Sequence, residues 1–340
     1  MTKITLPKKF TARNATLKDV SAAVELFNNY FLHHFGDSNF TVNIIETDWK
    51  TPKFNPETDI HLVFTMDGLL VGYIEVWTIS NPPAHPFLWM VVHPEFEGLG
   101  LRRYLLEWGE SMAHQALNRC PNDIRVAYRI RNEATIDRPK LLYKDFELNL
   151  VRNNFKMLIE LDEIPPDPVW PDGINIRSSN GSDIDIESLC RVDNEAFKDH
   201  FGYIEQPFED ELSWFINWLK NDESVNDPTL WFLAMDGEKP VGLALCSAWD
   251  LENRDFGHVG SLGVLRSYRK KGIGLAFLHH AFGEYYRRGK KGVTLGVDAE
   301  NLTGALNLYK KAGMHVHRQY DLYEKELRPG REISVESLSE

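Results

Sequence analysis

Leu262-Gly263-Val264-Leu265-Arg266-Ser267-Tyr268-Arg269-Lys270-Lys271-Gly272-Ile273-Gly274-Leu275-Ala276 is the stretch that decides the fold of this chain. An apolar run ends at Val264, cationic residues follow, and two glycines one residue apart open a helical pattern. A strand that turns through glycines into a helix aims successive backbone N–H groups, and the positive end of the helix dipole, at one point. That point suits a diphosphate, and Arg269, Lys270 and Lys271 add cationic side chains beside it. A glycine pair alone is equally compatible with an ordinary turn.

Upstream of this loop, the same order of features occurs twice. Phe10-Thr11-Ala12-Arg13 and Ile174-Asn175-Ile176-Arg177 are short strand patterns, each followed by a polar turn and an amphipathic helix beginning near Asp19 and Asp185. Leu62 to Met66 and Val71 to Trp77 flank Asp67-Gly68, and Trp231 to Met235 and Val241 to Leu245 flank Asp236-Gly237. Asp-Gly between alternating apolar runs is a hairpin signal. Leu88 to Val92 runs into Gly98-Leu99-Gly100 as Val259 to Val264 runs into Gly272-Ile273-Gly274, so the chain reads as a duplication. The proline-rich stretch 162–173 divides the halves as a stiff extended linker. The expected organisation is therefore an N-terminal domain over 1–161, the linker, a C-terminal domain over 174–327 and a polar, acidic, disordered tail over 328–340. Each domain is α+β, in three α/β layers, with a mixed central β-sheet flanked by helices.

Composition fits two soluble domains of ordinary size in 340 residues. No apolar run approaches the roughly 20 residues of a membrane span, and the N-terminus has no secretory apolar core. A cytoplasmic protein without membrane contact is expected. Cys120, Cys190 and Cys246 are too few and too scattered for a disulfide framework or a zinc site, and adjacent pairs such as His279-His280 lack metal-ligand spacing, so no metal is expected. The formal charge of −12 argues against nucleic acid as partner and tolerates a cationic small molecule.

Beyond the loop, Leu295-Gly296-Val297-Asp298-Ala299-Glu300-Asn301 and Ala305-Leu306-Asn307-Leu308-Tyr309-Lys310-Lys311-Ala312-Gly313-Met314 supply a further strand and helix. Arginine, two residues, glycine, one residue, glycine, followed by these landmarks, resembles the acetyl-CoA site of the GNAT (GCN5-related) N-acetyltransferase superfamily. The tandem arrangement, with the stronger motif second, is similar to that of mycothiol synthases. The resemblance implies two tandem GNAT folds, acetyl-CoA as co-substrate, and direct acetyl transfer to a primary amine of a small molecule, by a monomer or homodimer. It also implies roles: the Leu262 backbone N–H polarises the thioester carbonyl, and the Val264 backbone pairs with pantetheine. The residues Arg269, Lys270, Lys271, Gly272, Ile273 and Gly274 hold the diphosphate, Asn301 contacts pantetheine or orders its loop, and Tyr309 protonates the departing thiolate. The alternative is a non-catalytic acyl-CoA-binding or sensing protein.

An ammonium must lose a proton before it attacks a thioester. His258 resembles the strand position where arylalkylamine acetyltransferases carry a histidine, and strict alternation puts it in phase with Gly260, Leu262 and Val264. Asp250, Asp255 and Asp298 are fallbacks, as is a water chain. Phe197, His200, Phe201 and Tyr203 lie where acceptor pockets of this superfamily are shaped. In the first half, Glu95 stands for Arg269, Ala84 for His258 and Leu150 for Tyr309, which predicts a catalytically degenerate copy.

Overall fold

The computed structural model describes residues 5–220, 225–300 and 304–336. Its elements in chain order begin β1 (Phe10–Asn14), α1 (Val20–Phe35), α2 (Val42–Trp49), α3 (Pro56–Asp59), β2 (Ile60–Thr65), β3 (Leu70–Trp77) and β4 (Phe87–Val92). They continue with α4 (Leu101–Gln115), β5 (Val126–Glu133), α5 (Arg138–Asp145), β6 (Asn149–Glu160), β7 (Ile174–Ser178), α6 (Asp183–Phe197) and α7 (Phe208–Lys220). The last are β8 (Trp231–Asp236), β9 (Lys239–Ser247), β10 (Phe256–Val264), α8 (Ile273–Arg287), β11 (Gly292–Asp298), α9 (Ala305–Lys311) and β12 (His315–Arg328). No described helix is long and apolar enough to cross a membrane.

The chain forms two compact units whose boundaries differ from the contiguous halves expected. Unit 1 is Met1–Arg152 with Tyr320–Ile333, and unit 2 is Asn153–Gln319 with Ser334–Glu340. In unit 1 the strand order is β1-β2-β3-β4-β5-β12, and in unit 2 it is β7-β8-β9-β10-β11-β6. Each sheet thus takes its sixth strand from the other half of the sequence. The reason is burial: β6 brings Met157 into the core beneath α8, and β12 packs Tyr323 and Leu327 against the core beneath α4. Both sheets are mixed, with β4–β5 and β10–β11 parallel and the other registered pairs antiparallel.

Residues 162–173 contain neither helix nor strand, and Trp170 sets its ring edge-to-face on Phe277 at 5.2 Å. The expected disordered tail is instead pinned as far as it is described. Arg331 bridges Ile124 in unit 1, and Val335 exchanges backbone hydrogen bonds with Gly202 and Tyr203 in unit 2. All three cysteines are free and buried.

The arginine of each opening strand has a structural task. Arg13 pairs with Asp19 at 2.6 Å and Arg177 with Asp185 at 2.8 Å. Each aspartate also accepts from the backbone of the turn before its helix, at Thr16 and Asn180. The Arg177 guanidinium and these hydrogen bonds hold the Asp185 carboxyl below its usual range. A carboxylate depressed in the folded state adds stability above its unfolded pKa and loses it as pH falls. Asp185→Asn is therefore expected to cost about 1 kcal/mol at neutral pH, with Arg177 half-exposed and screened by solvent. In urea titrations the difference from wild type should shrink as pH drops below about 4.

Tyr285, fully buried on α8, shares its one hydroxyl hydrogen between the carbonyls of Ser247 and His258 and so ties β9 to β10. Its ring lies flat on Gly257, where an added Cβ would sit 2.2 Å from a ring carbon. Gly257→Ala must displace this ring and is expected to destabilise by about 3 kcal/mol, read as a lower urea midpoint at unchanged m.

Candidate active site

Registered pairing between β10 and β11 runs from Phe256 opposite Gly292 to Val259 opposite Leu295 and goes no further. Past that point β10 holds to β9 alone, and a cavity of about 920 Å³ opens between the parting strands. Leu262 and Val264 from β10, Gly296 and Asp298 from β11 and Tyr309 from α9 line it. So do Arg269, Lys270, Gly272, Ile273 and Gly274 of the glycine turn. Most of the residues chosen from sequence therefore meet in one place.

The turn owes its shape to two left-handed residues, Lys270 at φ +62° and Gly272 at φ +95°. Gly272 caps α8, so the first amides of that helix have no intrahelical acceptor and face the cavity mouth. Gly274 is needed for a different reason: a Cβ there would stand 2.9 Å from Leu308 Cδ2. That atom is the end of a flexible side chain, so a methyl group at 274 needs only a small shift, whereas a longer side chain would enter the space at the turn.

The Arg269 guanidinium lines the cavity and is also engaged by the protein. It donates to the carbonyls of Val264 and Ala196 and to Asp199, at 3.1, 2.8 and 2.7 Å, bracing the turn against the end of α6. Lys271 lies outside the cavity lining, its ammonium 4.8 Å above the Tyr268 ring. Lys270 also lines the cavity. Asn301 lies outside the described residues.

Tyr309 is 7% exposed, and burial pushes its phenol up to about 12. His258 is absent from the cavity wall: it lies where β10 is still paired with β11, opposite Thr294, before the strands part. It is also out of phase with Leu262, because β10 carries a bulge at Gly260, between Val259 and Ser261. One extra residue flips the alternation, so His258 shares a face with Ser261 and Gly263 and not with Leu262 and Val264. On that face its imidazole is 32% exposed and hydrogen-bonded through Nδ1 to Thr294. Asp250 is unsuited as a base: Lys156, His258 and Thr294 hold its carboxyl far below the usual range. Asp255 is paired with Lys291 at the surface. Phe197 and His200 line the cavity, while Tyr203 faces a smaller one of about 520 Å³.

Sequence reasoning missed Asp193. It lies on the inward stripe of α6 with Ile186, Leu189 and Cys190, a carboxylate at an apolar phase, which was the available signal. Its carboxylate accepts from the Ser261 hydroxyl, and burial pushes its pKa up to about 6.

A GCN5-related N-acetyltransferase structure from Sphaerobacter thermophilus is 33% identical to the chain, with a TM-score of 0.75 over 96% of this chain and 99% of that one. The chain belongs to the GNAT acetyltransferase family. The acetyltransferase (GNAT) family model matches residues 187–314. The mycothiol acetyltransferase of Amycolatopsis mediterranei is 27% identical over 76% of this chain and 81% of its own length. An uncharacterised N-acetyltransferase of Methanocaldococcus jannaschii is 33% identical over 29% of this chain, and the alignment covers 43% of that relative's length. GNAT proteins transfer acyl groups from acyl-CoA donors.

Unit 1 carries a counterpart of the glycine turn. Gly100 caps α4 with φ +86° as Gly272 caps α8, and Gly98 at φ +80° stands where Lys270 does. The true counterpart of Arg269 is thus Glu97, not Glu95, and that of Gly274 is Arg102. These two form a buried ion pair at 2.8 Å. Phe87 pairs with Trp77 and Arg129 as His258 pairs with Ser247 and Thr294, so Phe87 and not Ala84 replaces the histidine. Leu148 N–H donates to Tyr143 as Met314 N–H donates to Tyr309, so the expected loss of the tyrosine to Leu150 is corrected: Tyr143 keeps it.

Proposed function

We propose that unit 2 transfers an acetyl group from acetyl-CoA to a primary amine of a small molecule by direct attack, and that unit 1 is a non-catalytic copy. The observation that carries this reading is the single cavity joining the glycine turn, the parted strands and Tyr309. Its volume suits a CoA arm, the glycine-turn amides and Lys270 suit the diphosphate, and the open backbone of Leu262 to Val264 suits pantetheine. The Leu262 N–H polarises the thioester carbonyl, and preorganised donors of this kind dominate acyl-transfer catalysis. Tyr309, held neutral by burial, protonates the leaving thiolate. His258, on the opposite face of β10, takes a proton from the amine. The mycothiol acetyltransferase similarity and the acidic surface favour a polar amine as acceptor. The family match over 187–314 also supports unit 2 as the working copy.

In unit 1, Arg102 enters where Gly274 leaves room and lies within electrostatic reach of Tyr30 and Tyr143. The Glu97–Arg102 pair supplies its own anion to the turn, which favours a supporting role for this unit. Thiol release from acetyl-CoA, followed across a panel of amines and amino sugars, tests the proposal. Turnover with at least one amine is expected. Acetyl-CoA binding by calorimetry without release on any amine would instead establish an acyl-CoA-binding protein.

A further inference from the structure

Behind His258 lies a chain of hydrogen bonds sealed from solvent. His258 Nδ1 is 2.9 Å from Thr294 Oγ1 and 3.4 Å from Asp250 Oδ2, and Thr294 Oγ1 donates to that same Oδ2 at 2.6 Å. Thr294 is 1% and Asp250 4% exposed. The other oxygen of Asp250 accepts from Lys156 Nζ at 2.9 Å and from the Glu252 backbone N–H at 2.8 Å. An ionised carboxylate only accepts, so the single hydroxyl hydrogen of Thr294 is drawn to Oδ2. The Thr294 lone pairs then face the imidazole, and Nδ1 must be the ring nitrogen that carries hydrogen.

We infer that Asp250 and Thr294 are positioning residues that fix His258 as its Nδ1–H tautomer and thereby leave Nε2 as the proton acceptor. This rests on the reading in which His258 takes the proton of the amine. One proton moves from the ammonium to Nε2, while Nδ1–H and the Thr294 hydroxyl keep theirs, so the imidazolium formed is stabilised by the Asp250 anion, both through Thr294 and directly across 3.4 Å. The same arrangement of tautomer control from behind underlies catalytic histidines generally. The duplication supplies an internal control. In unit 1 the places of His258 and Thr294 are taken by Phe87 and Arg129, and the sheet forms equally well, so the fold does not require the relay.

Long-range 1H–15N spectra of the 15N-labelled full chain at about pH 8 read the tautomer directly. The His258 signals are identified by their loss in His258→Ala. Wild type is expected to show the Nδ1–H pattern, Thr294→Val to populate Nε2–H, and Thr294→Ser to restore Nδ1–H. Thr294→Val and Asp250→Asn are expected to lower kcat about 10- to 100-fold with the acetyl-CoA KM unchanged. Thermal melts verify that each variant folds, and Thr294→Val, nearly isosteric, carries the test if Asp250→Asn does not. An Nε2–H pattern in wild type, or an unaltered tautomer in Thr294→Val, overturns the inference. A wild-type chain with the Nδ1–H tautomer that acetylates no amine overturns the transfer reading and leaves the tautomer assignment standing.

Discussion

Gly274→Arg is expected to abolish acetyl-CoA binding in unit 2, with affinity by calorimetry reduced at least about 100-fold. The chain already displays this substitution in its other copy. Arg102 occupies the corresponding place in unit 1, 12% exposed, and pairs with Glu97. A guanidinium at 274 would have no such carboxylate, because Arg269 stands at that position and is itself committed to Asp199. It would be driven past Leu308, which a Cβ alone approaches to 2.9 Å, into the space below the turn. Losing the diphosphate contacts, each charge-assisted and on the order of 2 kcal/mol, accounts for the size of the effect. Gly274→Ala asks only a flexible leucine end to move and should bind within about tenfold of wild type, about 1.4 kcal/mol, at the low end of what overpacking costs. Equal losses in the two variants would mean that helix approach, not blockage, is what Gly274 provides.

Tyr309→Phe is expected to lower kcat about 100-fold while leaving the acetyl-CoA KM within about twofold, since general acids contribute in that range and act on the leaving group. Burial pushes the phenol up to about 12, so it stays protonated across the pH range of an assay. The ratio of wild-type to variant kcat should therefore be the same at pH 6 and pH 9. A ratio that falls as pH rises would indicate that the phenol loses its proton in that window, and the acid role would go to a water molecule. Tyr143→Phe in unit 1 is the control and should leave turnover intact, because Arg102 and Glu97 already fill that slot.

The glycine turn, both hairpins and the duplicated order were legible because each depends on local chemistry: φ above zero at Gly272, Asp-Gly turns, apolar alternation. What was misread depends on partners distant in sequence. Aligning the halves on two visible glycines slid the first loop by two residues. Backbone conformation corrects this, since Gly98 matches Lys270 and Gly100 matches Gly272. A usable signal was present in the tripeptide Leu142-Tyr143-Lys144, repeated as Leu308-Tyr309-Lys310. The bulge at Gly260 reversed the facing of His258. A glycine inside a strand is a known mark of a bulge, but nothing local says on which side of it the phase changes. The contacts of Arg269 with Asp199 and two carbonyls were not legible either, because only the fold brings those groups together. Asp193 was overlooked because charge on a helix is ordinarily a solvated face.

The exchanged strands have a consequence for how the chain is made. Unit 1 needs Tyr320–Ile333 for its last strand, so nearly the whole polypeptide must leave the ribosome before its sheet can close. Until then β5 presents an open edge, the kind of surface that recruits other chains. Cutting at the proline-rich stretch would strand each fragment without its sixth strand, and the fragments should complement one another when mixed. The sheets therefore close in an order opposite to that of the sequence: the one whose first strand is translated first receives its last strand last.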